Sequence, residues 1–206
     1  AENNLGYSFF ASRQVMADDS SILDGAGDVY HVSGLAWRQY HGLPAGKYGL
    51  KTEEVFSPCG AAALYLRQMF VQAGGFDEDF FSYFEDVDLG FRLHLLGFKC
   101  LYVPGAVVKH VGSASTGKRS DFAIYHGHRN LIWAYVKNMP ALLLWFFLPL
   151  HLLMGLYFLL SFTISGQGKA IWRAKVDGLR GLGHMLAKRR KIQRLRWAPV
   201  RGIYHL

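Results

Sequence analysis

Apolar positions follow three different patterns along the chain. Residues 1–137 mix short apolar runs and polar turns with helical periods, residues 138–168 contain no charged side chain, and residues 169–206 set apolar positions among many basic ones. Short strands mixed with helices are typical of an α/β domain, whereas a long uncharged run is typical of helices in contact with lipid. We therefore predict an α/β domain over 1–137, an apolar helical hairpin or span over 138–168, and a basic amphipathic tail over 169–206.

The first seventy residues predict small elements. Residues 1–50 contain apolar runs cut by turn formers, which indicates loops and short strands. A strand is predicted from Glu54 to Leu66, followed by a short helix from Arg67 to Ala73. Gly60 and Ala61 are small, so a ligand or a second backbone can come close to them. Tight packing of the strand on a helix explains the same residues equally well.

An amphipathic helix is predicted after a cluster of aromatic and acidic residues. Ser82 stands three residues before Glu85, which is the spacing of a capping box, and the helix ends at Gly97. Its apolar residues recur at helical spacing: Val87, Leu89, Leu93 and Leu96. Glu85 and Asp86 therefore lie in the first turn, where backbone N–H groups and the helix dipole favour negative charge. Plain helix caps have the same composition, so this pattern alone does not establish acid–base chemistry.

A β-branched run ending in a histidine follows this helix. Residues 98–103 and 106–111 predict a strand with a turn at Pro104-Gly105, and His110 lies at its end, where open α/β sheets bind their ligands. A loop rich in Gly and Ser comes next, and its Ser113 and Ser115 hydroxyls suit phosphate. The next helix is predicted from Phe122 to Lys137.

The uncharged run is long enough to meet a membrane. Residues 141–160 are almost entirely apolar, and about 20 such residues cross a bilayer. By the positive-inside rule a single crossing would separate the basic tail from the acidic motif. We therefore expect a hairpin bent near Pro149 that dips into one leaflet, with a single span and a buried soluble helix as alternatives.

The net charge of +8 comes from the tail. From Lys169 onward there are eleven Lys or Arg residues against one acid, Asp177. The chain contains no zinc-binding spacing and no recognisable nucleic-acid module, so we expect no nucleic-acid partner and an anionic membrane surface instead. Two cysteines are too few for a disulfide framework and suit a reducing compartment.

A long ordered motif resembles a known family. From Gly74 to Leu93 the chain contains Gly-Gly-Phe-Asp-Glu-x-Phe-Phe-x-Tyr-x-Glu-Asp-Val-Asp-Leu-x-x-Arg-Leu, and a Gly-Phe pair, a Val-Pro pair and a histidine follow. This run resembles the family 2 inverting glycosyltransferases of GT-A fold, in particular their rhamnosyltransferase-like branch. The resemblance implies an α/β fold that is the C-terminal part of a GT-A, Rossmann-like domain followed by membrane-associated helices. The metal-binding Asp-x-Asp motif is not recognised, because Asp18-Asp19 and Asp77-Glu-Asp79 follow no predicted strand, so we expect the nucleotide-binding half to be missing.

The resemblance also implies a role for each candidate residue. Asp86 corresponds to the general base, Glu85 supports it or contacts the acceptor, and His110 resembles a histidine that helps to hold Mn²⁺ or Mg²⁺. The expected substrate-binding residues are Gly60, Ala61, Ser113, Ser115, Arg129 and Asn130, the last two within a Tyr-x-x-x-Arg-Asn pattern.

The function implied is transfer of a sugar with inversion in cell-surface polysaccharide synthesis. The expected donor is a nucleotide sugar, the expected acceptor is a lipid-linked glycan, and the expected location is the cytoplasmic face of the cell membrane. Two alternatives remain from the residues themselves: a non-catalytic membrane-bound scaffold, and a metal-dependent hydrolase that uses Glu85, Asp86 and His110.

Overall fold

Strands dominate the first half of the chain and helices the second half. The computed structural model describes residues 6–112 and 120–204. Its strands are β1 (Phe9–Met16), β2 (Leu23–Gly25), β3 (Asp28–Tyr30), β4 (Ala36–Arg38), β5 (Glu53–Val55), β6 (Ala63–Tyr65) and β7 (Cys100–His110). Its α-helices are α1 (Arg67–Gln72), α2 (Glu85–Leu95), α3 (Asp121–Asn138), α4 (Ala141–Phe162), α5 (Gly168–Arg180), α6 (Leu182–Arg194) and α7 (Val200–Tyr204).

A mixed five-stranded sheet forms the first layer. β1 and β7 run parallel at its centre, β5 pairs with the far side of β7, and β2 and β6 share the other side of β1. Because β1 and β7 are parallel, their carboxyl ends meet at one edge, where Met16 pairs with His110. β3 and β4 form a separate two-stranded ribbon. The prediction of an α/β fold is confirmed as a mixed sheet covered by helices.

Helix α2 is the centre of the molecule. Phe9, Leu89 and Tyr102 belong to a core cluster on its sheet side, and Phe91 and Tyr135 belong to a second cluster on its other side. Every residue from Val87 to Leu95 is buried, so α2 is a fixed support for whatever lies at its N-terminus.

Helix α4 lies along the domain and is bonded to it at several levels. The Tyr135 hydroxyl donates to the Leu144 carbonyl at 2.8 Å, and His151 Nδ1 bonds the Ser33 carbonyl at 2.8 Å. The outward face of α4 is apolar and exposed: Leu142, Trp145, Phe146, Leu152, Leu153, Leu156, Tyr157 and Leu160. By length and composition, residues 141–180 include a helix that could cross a membrane.

The chain turns at Gly166, where φ is +84°, and α5 then packs against α3. α6 continues along α3, and Arg189 donates to the carbonyls of Val136 and Met139. Beyond α6, the backbone N–H groups of Trp197 and Ala198 both bond the Leu95 carbonyl at the end of α2.

Several predicted details are wrong. Ser82 does not cap α2, because the residue before Glu85 is Phe84 in a left-handed conformation without a side-chain cap. The strand from Glu54 to Leu66 is two short strands, β5 and β6, separated by a 3₁₀ turn.

Two further corrections concern longer segments. α4 continues through Pro149, and the change of direction comes at Gly166 instead. Residues 1–50 include the eight-residue central strand β1, and Asp18-Asp19 therefore does follow a strand. By contrast, the helices predicted at Glu85 and Phe122 and the strand end at His110 are confirmed. The turn predicted at Pro104-Gly105 is wrong, because β7 continues through it with only a shift in its register against β1.

Candidate active site

A strained turn presents the acidic pair at the start of α2. Phe81, Tyr83 and Phe84 all have positive φ, between 61° and 69°, although none is glycine. Such conformations are costly and persist only where the surroundings fix them. Here the buried Asn130 amide donates to the carbonyls of Phe80, Ser82 and Tyr83 at 2.9, 2.9 and 2.6 Å. The turn thus holds Glu85 and Asp86 in one orientation.

Glu85 and Asp86 line a cavity of about 300 Å³, called here the carboxylate cavity. Asp86 accepts hydrogen bonds from the backbone N–H of Gly60 at 2.7 Å and of Val87 at 2.8 Å. Oε2 of Glu85 is buried and has no hydrogen-bond partner among the described residues. Gly60 lies so close to Asp86 that an added Cβ would meet its Oδ2 at 3.4 Å.

Burial changes the acidity of this cavity. It raises the pKa of Glu85 to about 7, and the neighbouring Asp86 charge adds to that shift. Burial also raises the pKa of Asp86, although the Gly60 and Val87 N–H groups and the Arg38 guanidinium oppose the shift. A third carboxyl, Asp28, lines the same cavity, and burial together with the Asp86 charge raises its pKa well above the usual range. A carboxyl with a pKa of about 7, as at Glu85, exchanges protons near neutral pH.

A second cavity of about 530 Å³ opens at the carboxyl ends of β1 and β7, and it is called here the His110 cavity. His110 Nδ1 lies 2.6 Å from Oδ2 of the buried Asp24. Asp24 also pairs with Arg38, and Asp18 lines the same cavity. His41 Nδ1 bonds the backbone carbonyl of Asp24 at 2.8 Å and lies 3.5 Å from its Oδ1.

Trp37 and Arg38 form a common wall between the two cavities. Both residues come from the short strand β4, so one ribbon of backbone separates the acidic pair from His110. Asp86 and His110 therefore face adjoining cavities on one side of the molecule.

His110 fits the chemistry of a metal ligand. A ligating histidine usually gives its other ring N–H to a carboxylate, as the His110 contact with Asp24 allows, and this leaves Nε2 to bind a cation. The residues that the structure describes contain no group of three or more His, Cys, Asp or Glu side chains that could hold a metal ion.

The structure describes four of the six predicted substrate-binding residues. Gly60 and Ala61 line the carboxylate cavity beside Asp86. Ser113 and Ser115 lie outside the described residues.

Arg129 and Asn130 line neither cavity, and their role in substrate binding stays a prediction. Arg129 donates to the carbonyls of Asp79 and Phe80 at 3.0 Å and packs over the Trp133 ring. The donors of Arg129 and Asn130 are thus engaged in holding the strained turn.

Sequence reasoning missed Asp24, Asp28 and Arg38. Two of them sit in a Gly-rich run that resembles an ordinary turn, and their burial is created by the β3–β4 ribbon folding over the sheet edge. The signal that could have found them is a pair of acids flanking glycines, Asp24 and Asp28, followed nine residues later by the pair Trp37-Arg38.

Comparison with known proteins assigns this chain to a family. Residues 29–172 match the model of glycosyl transferase family group 2. Two relatives from Mycobacterium tuberculosis, strains CDC 1551 / Oshkosh and ATCC 25618 / H37Rv, are each 48% identical over 69 residues. Each is named N-acetylglucosaminyl-diphospho-decaprenol L-rhamnosyltransferase, and the match covers 32% of this chain and 22% of the relative.

Proposed function

Because the chain belongs to glycosyl transferase family group 2, we propose that it takes part in transferring a sugar, with inversion, from a nucleotide-sugar donor to a lipid-linked glycan acceptor. The observation that carries this proposal is the carboxylate cavity, in which a rigid helix presents Glu85 and Asp86 next to the His110 cavity. The relatives' names, which specify a diphospho-decaprenol acceptor and a rhamnosyl group, support a lipid-linked acceptor and a deoxyhexose donor.

In the proposed mechanism Asp86 is the general base. Its carboxylate takes the proton of the acceptor hydroxyl while that oxygen attacks the anomeric carbon of the donor. The bond between the anomeric carbon and the phosphate oxygen breaks on the opposite face, and the nucleoside diphosphate leaves. Gly60 N–H and Val87 N–H fix the orientation of Asp86, while Glu85 and Asp28 tune its acidity.

The leaving diphosphate requires positive charge nearby. Arg38 lies between the two cavities and can supply it through its planar guanidinium. His110, oriented by Asp24, would be one ligand of a divalent Mn²⁺ or Mg²⁺ ion. Such an ion would neutralise the charge that develops on the diphosphate.

Membrane association forms part of the same proposal. α4 is bonded to the domain at Leu144 and at His151, so a perpendicular crossing would carry the Ser33 loop and other polar backbone into hydrocarbon. A helix lying flat at the interface avoids that cost and buries the exposed face of α4. The turn at Gly166 keeps the basic tail on the same side as the domain, which supports a cytoplasmic-face location.

Replacing Asp86 tests the proposal. Asp86→Asn in the full protein should keep the fold, since an amide oxygen can still accept from Gly60 N–H. It should lower kcat for sugar transfer by roughly 10²–10⁴-fold, the usual contribution of a positioned base. Glu54→Gln, at an exposed ion pair with Lys99, is the control and should keep the wild-type rate.

Two outcomes would contradict the proposal. An unchanged transfer rate in Asp86→Asn would leave the acidic motif a structural cap, as a scaffold predicts. Release of free sugar from the donor by the wild-type protein, at the same rate with and without acceptor, would indicate a hydrolase instead.

A further inference from the structure

An apolar groove runs from the candidate active site toward α4. Its volume is about 270 Å³, and it lies between α3, α4 and the strained turn before α2. Its walls include Leu35, Phe84, Leu131, Phe158 and Phe162. Gly127 forms part of its floor, and a Cβ added there would meet no atom within 4 Å.

The groove adjoins the carboxylate cavity. Ala36 and Phe84 line both spaces, and Phe84 directly precedes Glu85 in the chain. A molecule with a hydroxyl group near Asp86 and an apolar tail in the groove would pass beside these two side chains.

The other end of the groove reaches the exposed apolar face of α4. Phe158 and Phe162 line the groove from α4, while Tyr157 and Leu160, beside them on the same helix, point outward and are more than half exposed. A chain lying in the groove can thus continue along α4 into the lipid that this helix is proposed to contact.

The interior of the groove suits a hydrocarbon. Its one titratable side chain among the lining residues is His128, whose pKa burial lowers to about 4, so the groove is uncharged at neutral pH. The His128 ring packs against Phe158 and Phe162, with centroids 4.9 and 5.1 Å apart. A peptide would leave its backbone N–H and C=O groups without partners against such walls, whereas an isoprenoid chain has no such groups.

We propose that this groove binds the first isoprene units of the polyprenyl chain of the lipid-linked acceptor. The proposal rests on the proposed function, because it takes the acceptor's reacting hydroxyl to lie near Asp86. It adds a binding site for the lipid, formed by Gly127, Phe158 and Phe162, apart from the groups that carry the chemistry.

Filling the groove from Gly127 tests this site. Gly127→Trp, measured in the full protein, should block the groove, and Gly127→Ala is the matched control because it improves helix propensity while adding one methyl group. Two acceptors are compared: one with a full polyprenyl diphosphate, and one with the same sugar and diphosphate on a short alkyl group. We expect Gly127→Trp to raise KM for the polyprenyl acceptor at least tenfold and to leave KM for the short acceptor within twofold of wild type.

A second measurement does not depend on turnover. A polyprenyl phosphate with a benzophenone on its first isoprene unit should cross-link to the α4 peptide that contains Phe158 and Phe162. This labelling should be strong in wild type and Gly127→Ala and weak in Gly127→Trp.

The outcomes separate this site from the proposed function. If wild type transfers sugar but Gly127→Trp affects both acceptors equally or neither, the groove proposal is overturned and the transferase proposal stands. If wild type transfers sugar to neither acceptor, both are overturned. Labelling that is unchanged in Gly127→Trp would also overturn the groove, even if a loss of activity were observed.

Discussion

At the scale of single residues, three carboxyl groups define the carboxylate cavity. Burial disfavours the charged forms of Glu85, Asp86 and Asp28 and raises the pKa of each, and the Asp86 charge adds to the shifts of Glu85 and Asp28. Since they interact, protons leave the group in steps that belong to all three. The ionisation of the proposed base is therefore set by its neighbours.

This coupling predicts the pH dependence of transfer. The base acts when deprotonated, so kcat/KM should fall as pH drops through its apparent pKa, and this fall should occur above the usual range of an aspartate because burial raises the pKa of Asp86. Glu85→Gln removes one negative charge beside Asp86, so Asp86 should ionise more readily. The acid limb of the profile should then move to lower pH, as measured by kcat/KM between pH 4 and pH 9.

The control for this profile is Glu54→Gln. Glu54 forms an exposed pair with Lys99, away from the cavity, and its loss should leave the limb in place. A wild-type limb near pH 4, or a limb that Glu85→Gln does not move, would contradict the coupling of these carboxyls.

At the scale of secondary-structure elements, a buried ion-pair network fixes α2 to its neighbours. Asp88, with no exposed surface, pairs with Arg92 on α2 and with Lys137 on α3, each at 2.8 Å, and Asn138 donates to it at 2.7 Å. Lys137 also pairs with Asp77, which Lys188 of α6 contacts in turn. Asp88 thus joins α2 to α3, and Lys137 extends the network through Asp77 to α6.

Removing that carboxylate should be strongly destabilising. Asp88→Ala leaves Arg92 and Lys137 buried without their shared anion, and breaking such a pair costs about 3–5 kcal/mol. The free energy of unfolding, measured by urea denaturation, should fall by that amount. Glu78→Ala, which removes an exposed acid from the same region, should change it by less than about 0.5 kcal/mol. A loss below about 1 kcal/mol in Asp88→Ala would refute the role assigned to the network.

The elements also differ in how far their sequence defines them. α2 and α3 were predictable because apolar residues recur at helical spacing, and the end of α2 followed from Gly97, whose φ is +88°. β1 was missed because Ser12, Arg13 and Gln14 break its apolar run, although β7 and two short strands cover it on both sides. The bend predicted at Pro149 is absent because an exposed helix such as α4 can lose one hydrogen bond and continue.

The same limit applies to the candidate site. Glu85, Asp86 and His110 follow from a contiguous motif and a strand end. Asp24, Asp28 and Arg38 come together only when the β3–β4 ribbon folds over the sheet, and no local pattern records that contact. Asn130 was placed in the ligand site from its motif, yet its three bonds to the strained turn depend on where α3 packs.

At the scale of the whole molecule, two successive helices carry many exposed apolar side chains. Those of α4 are followed along the chain by Trp172, Val176 and Leu179 of α5, all exposed. Exposed apolar areas of this extent usually mark a partner or a membrane. Basic residues follow immediately in the tail, as expected at an anionic surface.

Charges placed on the exposed face of α4 should release the protein from lipid. Trp145 and Phe146 are 69% and 73% exposed, so aspartates at both positions should not disturb the core. We expect Trp145→Asp/Phe146→Asp to lower the affinity for vesicles containing anionic lipid at least tenfold in a co-sedimentation assay.

Val71→Asp provides the control for this experiment. Val71 is similarly exposed, at 62%, but lies on α1, and its replacement should leave vesicle binding unchanged. Equal binding by both variants would show that the exposed face of α4 does not meet the bilayer.

The wall shared by the two cavities has a thermodynamic consequence. An anion entering beside His110 competes with Asp24, Asp28 and Asp86 for one guanidinium, that of Arg38. When the guanidinium moves toward the bound anion, Asp28 and Asp86 lose part of its stabilising positive charge, and their pKa values rise. Because this coupling is reciprocal, protonating those acids must strengthen binding of the anion by the same factor. Arg38 therefore links the binding of one proposed reactant to the deprotonation of the other.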